Sequence, residues 1–291
     1  MKLVSSAPFV PHSYQHLVEV VSFPKNAMPE PVYAKLCRDY EAIQDVAVSR
    51  IVYESAGLKI TGIMALPKSI TAGSHPVLIF NRGGNGEYGK LTVSNVLRHM
   101  LPFARKGYLV FASNYRGNDG GEGRDEFGGG DVDDVAALLA IAKTHAGYDG
   151  KNAYMLGHSR GGMMTTMSIR GHAPVNAAIS IAGVSDLRQS GIERPEMTTH
   201  VYHQRFPDTE TEYEKRSALH WPGEIAAPLL LLHGDADEAV HVGHSQRLAA
   251  ALAAHHKPHA LHIYPGGNHA LFRLWDDVLS RCFAWMEQYR R

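Results

Sequence analysis

Two cysteines, Cys37 and Cys282, are all that the 291 residues contain, and they stand near opposite ends of the chain. That is too few for a disulfide framework, and with no C-x-x-C pair there is no cysteine signature of a metal or redox centre. Two free thiols are expected. An excess of charge is also missing, since 29 Lys plus Arg stand against 29 Asp plus Glu. A balanced surface lacks the basic footprint of a nucleic-acid binder or of a protein drawn to an anionic membrane. No apolar run approaches the roughly 20 residues of a membrane span. The N-terminal MKLVSSAPFVPHSYQH has no apolar core of signal-peptide length. A cytoplasmic address is therefore expected, with neither nucleic acid nor membrane as partner.

What the chain does have is length for one large or two small domains, with 44% hydrophobic residues, ordinary for a packed core. Up to about residue 48 the periodicity is weak: three prolines fall in Pro24–Pro31, and a short helix is expected around Val32–Ile43. From Ser49 the texture changes. Arg50–Glu54 and Leu58–Leu66 read as strands around the turn at Ala56–Gly57. Short apolar runs follow at Val77–Phe80, Tyr108–Ala112, Ala153–Leu156, Ala177–Ile181, Leu229–Leu232 and Ala260–Tyr264. Between and after them lie helical stretches at Asp131–Thr144, Ser245–His255 and Leu271–Tyr289. The first places Asp131, Asp133 and Asp134 in its opening turn, where the helix end is positive.

Strands that are apolar on both faces belong to a parallel sheet covered by helices on both sides. The expectation is an α/β domain over residues 49–291, with a mostly parallel sheet of about eight strands, behind an N-terminal extension over 1–48. Gly183–Ala226 breaks the alternation. It is polar, carries Pro195, Pro207 and Pro222, and reads as a lid-like insertion at about 183–226. Its Tyr202, His203, Phe206, Tyr213 and Trp221 suit either the wall of a pocket or the packing of the insertion onto the sheet.

One turn carries chemistry. The strand ending at Leu156 runs into Gly157-His158-Ser159-Arg160-Gly161-Gly162 and then into a helical stretch. This is G-x-S-x-G between a strand and a helix, where a serine is lifted to the apex of a sharp reversal and its neighbours must be small. The helix behind it aims N–H groups at the charge that develops on a substrate oxygen. A phosphate-binding turn is the competing reading, but this turn has neither the Gly-Lys-Ser/Thr ending nor G-x-G-x-x-G. Ser159 is the candidate nucleophile.

A serine needs a histidine to take its proton and an acid to hold that histidine. Among 18 histidines, His269 follows the strand ending at Tyr264 and the glycines of Pro265-Gly-Gly-Asn-His269. His255, His256 and His259 surround a helix end, and His262 lies within a strand. His241 and His244 lack the further ligands of a metal site. The acid lies in His233-Gly-Asp-Ala-Asp-Glu238, where Asp235, Asp237 and Glu238 crowd one loop. Both loops follow strand ends on the side where open α/β sheets build their sites, in the order serine, acid, histidine.

These residues resemble the catalytic domain of the prolyl oligopeptidase family, within the α/β-hydrolase fold, and more loosely the dienelactone hydrolases. The likeness runs from about Ile51 to the end of the chain. It includes Ser55–Gly62, Arg82-Gly-Gly84, Asn114-Tyr-Arg-Gly117, Gly157–Gly162, Gly183-Val-Ser-Asp186, His233–Val240 and Gly267-Asn-His269. It implies an acyl-transfer hydrolase acting on an ester, an amide or a short peptide, with no metal or organic cofactor. The family's His-Gly-x-x-Asp pattern places the acid on Asp237. The oxyanion hole falls on the N–H of Arg160 with Gly83 or Gly84. Two departures stand out. Arg82 and Asn85 occupy positions where relatives carry His and Pro, which puts a cation at the substrate, and the segment before Ser49 is too short for the family's β-propeller. A dienelactone hydrolase or carboxylesterase without peptidase activity is the rival enzyme. A non-catalytic ligand-binding homologue is disfavoured because all three triad positions are filled.

Overall fold

The computed structural model describes residues 1–21, 28–172 and 174–291; Pro24 of the proline-rich stretch lies outside them. The chain builds one nine-stranded sheet in the order β1-β2-β3-β5-β4-β6-β7-β8-β9. β1 (Leu3–Pro8), β2 (Val46–Ser55) and β3 (Leu58–Pro67) pair antiparallel, and β3 joins β5 (Leu109–Ser113) antiparallel. From β5 onward, β4 (His75–Asn81), β6 (Tyr148–His158), β7 (Ala177–Ile181), β8 (Leu229–Gly234) and β9 (His259–Tyr264) run parallel. All six apolar runs are strands of this sheet. β4, β5, β7 and β8 are buried almost throughout because helices cover both faces.

β1 is the strand that the sequence does not signal. Its six residues are exposed, so nothing in its side-chain pattern marks a buried face; pairing with β2 alone makes it a strand. Helix α1 (Tyr14–Val21) is equally unsignalled, while α2 (Glu30–Glu41) stands close to the expected Val32–Ile43.

Two apolar layers flank the sheet. On one face α3 (Asp131–Ala142) brings Val135 and Leu138, α4 (Arg160–Ser168) brings Met163 and Met164, and Tyr202, Phe206 and Tyr213 of the insertion join them. On the other face lie Val96, Phe103 and the helix Trp275–Gln288, which buries Val278, Cys282 and Met286. Leu271 does not belong to that last helix. It takes a left-handed conformation (φ 51°) and ends the loop that carries His269.

The second layer holds an unusual group. His99 is buried, stacks on Phe80 at 4.6 Å and meets Trp275 edge-on at 5.1 Å. Burial, then the proximity of His158 and Arg98, holds its pKa well below the usual histidine value. The folded state therefore keeps His99 neutral, while the unfolded chain takes up a proton below about pH 6.5. The stability so gained is present above that pH and lost as pH falls below it. At pH 5.5 the loss reaches about 1.4 kcal/mol for a group that stays neutral when folded. In urea unfolding, His99→Phe should narrow the stability difference between pH 7.5 and 5.5 by about that amount. An unchanged difference would mean that the fold accepts the proton.

Candidate active site

The turn between β6 and α4 is drawn so tightly that Ser159 is forced to φ 60° and ψ −125°, a conformation that costs a non-glycine residue about 1–3 kcal/mol. Two close approaches hold it there. A β-carbon on Gly157 would run into Gly161 O, and one on Gly161 would run into Asn81 O at the end of β4. Ser159 N donates to Ile181 O at 2.9 Å, anchoring the apex to β7. Gly83 packs directly on the serine: a β-carbon there would lie 3.7 Å from Ser159 Oγ. The N–H groups of Arg160 and Gly83 have no acceptor among the described residues, and both residues line the same cavity as Ser159.

His269 lines that cavity too, and its Nδ1–H donates to Asp237 Oδ2 at 2.7 Å. That bond leaves Nε2 for the cavity. Of the three acids in the loop, Asp237 alone reaches the histidine. Asp235 is exposed and accepts from Gly266 N, and Glu238 is exposed. Asp237 is heavily used. Its Oδ1 accepts from the N–H groups of Ala239 and Val240 at 2.8 and 2.9 Å, and its Oδ2 also lies 3.2 Å from His233 Nε2. Burial alone would raise its pKa, but the bonds from His233 and His269 outweigh it and hold the carboxyl well below the usual range. His233 is set in turn by Ser245 Oγ at 2.7 Å and by donation to Val240 O at 2.8 Å.

The turn of Gly83 and Gly84, expected to supply the second oxyanion donor, is held by two guanidinium groups. Arg82 was expected at the substrate, and the structure corrects this. The side chain is fully buried and does not line the cavity; it donates to the carbonyl oxygens of Gly83, Gly86, Tyr88 and Asn114 at 2.8–3.3 Å. The reason is physical. A run of carbonyls curled inward needs a many-armed donor, and Arg82 supplies it from the end of β4, with burial lowering its pKa to about 10. The second guanidinium is that of Arg160. It binds both oxygens of Asp125 (2.7 and 2.8 Å), Asp131 Oδ2 (2.5 Å) and, at 3.3 Å, Gly84 O. The rings of Tyr115 and Phe127 lie 4.9 and 4.4 Å from its carbon. Desolvation opposes its charge, but the two carboxylates prevail and raise its pKa.

Several of these partners escape sequence reading. Asp131 is legible only as a helix-start acid, and nothing singles out Asp125 within a glycine-rich loop. His158, the variable position of G-x-S-x-G, donates from Nε2 to His269 O at 2.9 Å and lies ring to ring with it at 4.8 Å. Desolvation and the neighbouring His269 hold the pKa of His158 at about 3, so it stays neutral. The cavity has a volume of about 580 Å³. Of the insertion's aromatics, Tyr202 lines it, whereas Phe206, Tyr213 and Trp221 are packed in the core. Among the described residues no group of three or more His, Cys, Asp or Glu gathers as a metal site would require, and no helix is long and apolar enough to cross a membrane.

Comparison with known proteins identifies relatives of the sequence and of the fold. The sequence profile of the prolyl oligopeptidase family matches residues 95–290. The uncharacterized peptidase YtmA of Bacillus subtilis is 32% identical over 221 residues, which cover 74% of this chain and 83% of that protein. The fold is that of a Pyrococcus horikoshii acylaminoacyl peptidase (TM-score 0.66, 23% identity), with 80% of this chain covering 39% of that one. It is equally that of a Klebsiella pneumoniae structure assigned as a dienelactone hydrolase (TM-score 0.65, 18% identity), with 84% of this chain covering all of that one.

The buried cation offers a direct check. Arg160→Met keeps the backbone N–H but strands Asp125 and Asp131, and breaking a buried pair in this way costs about 3–5 kcal/mol. Urea unfolding should show a loss of that size, partly regained in Arg160→Met/Asp125→Asn. A loss below 1 kcal/mol, on the order of an exposed pair, would contradict the burial.

Proposed function

The chain belongs to the prolyl oligopeptidase family, and on that premise we propose that it is a serine hydrolase that transfers the acyl group of an ester, an amide or a short peptide to water through an acyl-enzyme on Ser159. One observation carries the reading. The strained serine and a histidine bonded at 2.7 Å to a carboxylate line one cavity.

In this mechanism Ser159 Oγ attacks the carbonyl carbon and its proton passes to His269 Nε2. The carbonyl electron pair moves onto oxygen, which the N–H groups of Arg160 and of the Gly83–Gly84 turn receive. Collapse of the intermediate breaks the bond to the leaving alcohol or amine, which departs with the proton from His269. Water then repeats the sequence against the acyl-enzyme and frees the acid and Ser159. Asp237 keeps the proton of His269 on Nδ1 and balances the imidazolium while it exists. None of these steps calls on a metal or an organic cofactor.

A second reading, a dienelactone hydrolase or carboxylesterase without peptidase activity, is supported by the full-length match to the Klebsiella structure. Matched nitrophenyl esters and aminoacyl anilides separate the two. The insertion over 183–226 acts in either case as a lid-like wall, since Ser190, Arg194, Met197 and Tyr202 line the cavity. A cytoplasmic location belongs to the same proposal, in keeping with the unpaired thiols of Cys37 and Cys282.

Ser159→Ala should lower turnover by on the order of 10⁶ and abolish fluorophosphonate labelling, with the circular dichroism spectrum unchanged. A variant that still gains the label by intact mass would refute the nucleophile. Asp237→Asn leaves the wrong histidine tautomer and should cost about 10⁴ in kcat, whereas Asp235→Asn should change it less than about threefold. Equal effects at the two positions would rule out Asp237 as the orienting acid.

A further inference from the structure

The cavity that holds Ser159 has a one-sided charge pattern. Among the described residues lining it none is acidic, while Arg160 and Arg194 both contribute to its wall. Arg160 is already spent. Together with Arg82 it sits beside Asp125 and Asp131, two positive groups and two negative ones, all buried. That cluster presents no net charge to a substrate.

Arg194 is different. It follows the helix Leu187–Glu193 of the insertion and leans over the cavity toward the loop of Asp237, where its Nη1 makes a long 3.4 Å contact with Ala239 O. Its Nε donates to Glu196 Oε1 at 2.8 Å, and its Nη2 has no partner among the described residues. Glu196 does not line the cavity, and its side chain is 54% exposed. A pair so exposed contributes little and is readily exchanged for another carboxylate. Close by, Val184, Met197 and Val240 form an apolar wall, and the hydroxyls of Ser190 and Tyr202 bond to each other at 3.0 Å. An aliphatic spacer thus has a surface to lie on, and a guanidinium with a free arm stands at its rim. Guanidinium favours carboxylate because two parallel N–H bonds fit its two oxygens. An ammonium group would meet this cation with no acid in the cavity wall to receive it.

We propose that the cavity takes acyl compounds bearing a carboxylate a few bonds from the scissile carbonyl, and that Arg194 anchors that carboxylate. The inference rests on the hydrolase reading above and narrows its substrate class. It disfavours peptides with a free amino terminus in the acyl group.

The test compares three matched nitrophenyl esters: pentanoate, the half-ester of glutarate, and 5-aminopentanoate. The half-ester should exceed the neutral ester in kcat/KM by about tenfold, which corresponds to about 1.4 kcal/mol, and the ammonium ester should fall below it. In Arg194→Gln the ratio of half-ester to neutral ester should collapse toward one. In Glu196→Gln, where the competing carboxylate is gone, it should hold or rise. Equal kcat/KM for half-ester and neutral ester in the wild-type protein, or a preference that survives Arg194→Gln, would overturn the proposal while leaving the hydrolase reading intact. If none of the esters is cleaved and Ser159 resists fluorophosphonate, both readings fall together.

Discussion

The guanidinium of Arg160 is the contact on which the site depends. It belongs to the residue after Ser159, so whatever fixes it also fixes a backbone N–H beside the cavity. From one buried position it binds Asp125 in the loop ahead of α3, Asp131 at the start of α3 and Gly84 O in the turn after β4. Three segments distant in sequence are thereby held against one another. The same loop extends the connection to the insertion: Phe127 O accepts from Arg216 Nε at 3.0 Å, and its ring lies 5.3 Å from that of Tyr202. A buried charge is tolerated only with partners in good geometry, so this arrangement forms as a whole or at a large cost.

Beside it the backbone of Ser159 is strained, and the strain is borne by close packing rather than by any single bond. Gly157, Gly161 and Asn81 leave no room for the turn to relax, and β7 holds Ser159 N. The opposite side of the cavity is organised by hydrogen bonds. Asp237 gathers His233, His269 and two backbone N–H groups, which keeps it charged and aims it. His158, neutral and set against His269, ties the elbow to the histidine loop without adding a charge beside it. Rigid packing around the serine and a polar network around the histidine are thus joined by one imidazole.

The insertion supplies part of the cavity wall. Its large aromatics are mostly core, where burial repays their area, and the wall is left to smaller or mixed side chains such as Ser190, Met197 and Arg194. The cavity is therefore shaped by a segment whose packing is apolar and whose open face is polar.

Much of this was legible in the residues themselves. Short apolar runs such as Leu229–Leu232, alternating with helical stretches, read as strands covered on both faces, and G-x-S-x-G between a strand and a helix sets a serine at the apex, because only small neighbours allow the reversal. Loops at strand ends carried the candidate serine, acids and histidine in the order that hydrolases use. What periodicity could not reach was anything set by contacts across the fold. β1 exists through pairing with β2, not through its own pattern. Arg82 looked like a substrate cation, yet the inward curl of four carbonyls turned it into a brace. Asp237 could be told from Asp235 and Glu238 in this chain's own geometry only once the loop placed one carboxylate 2.7 Å from a ring nitrogen. Local sequence determines the buried strands, the helices with an apolar stripe and which residues are chemically able, because those depend on neighbours along the chain. Which charged side chain is spent on structure and which is left facing a substrate depends on distances between segments, and those only the folded chain decides.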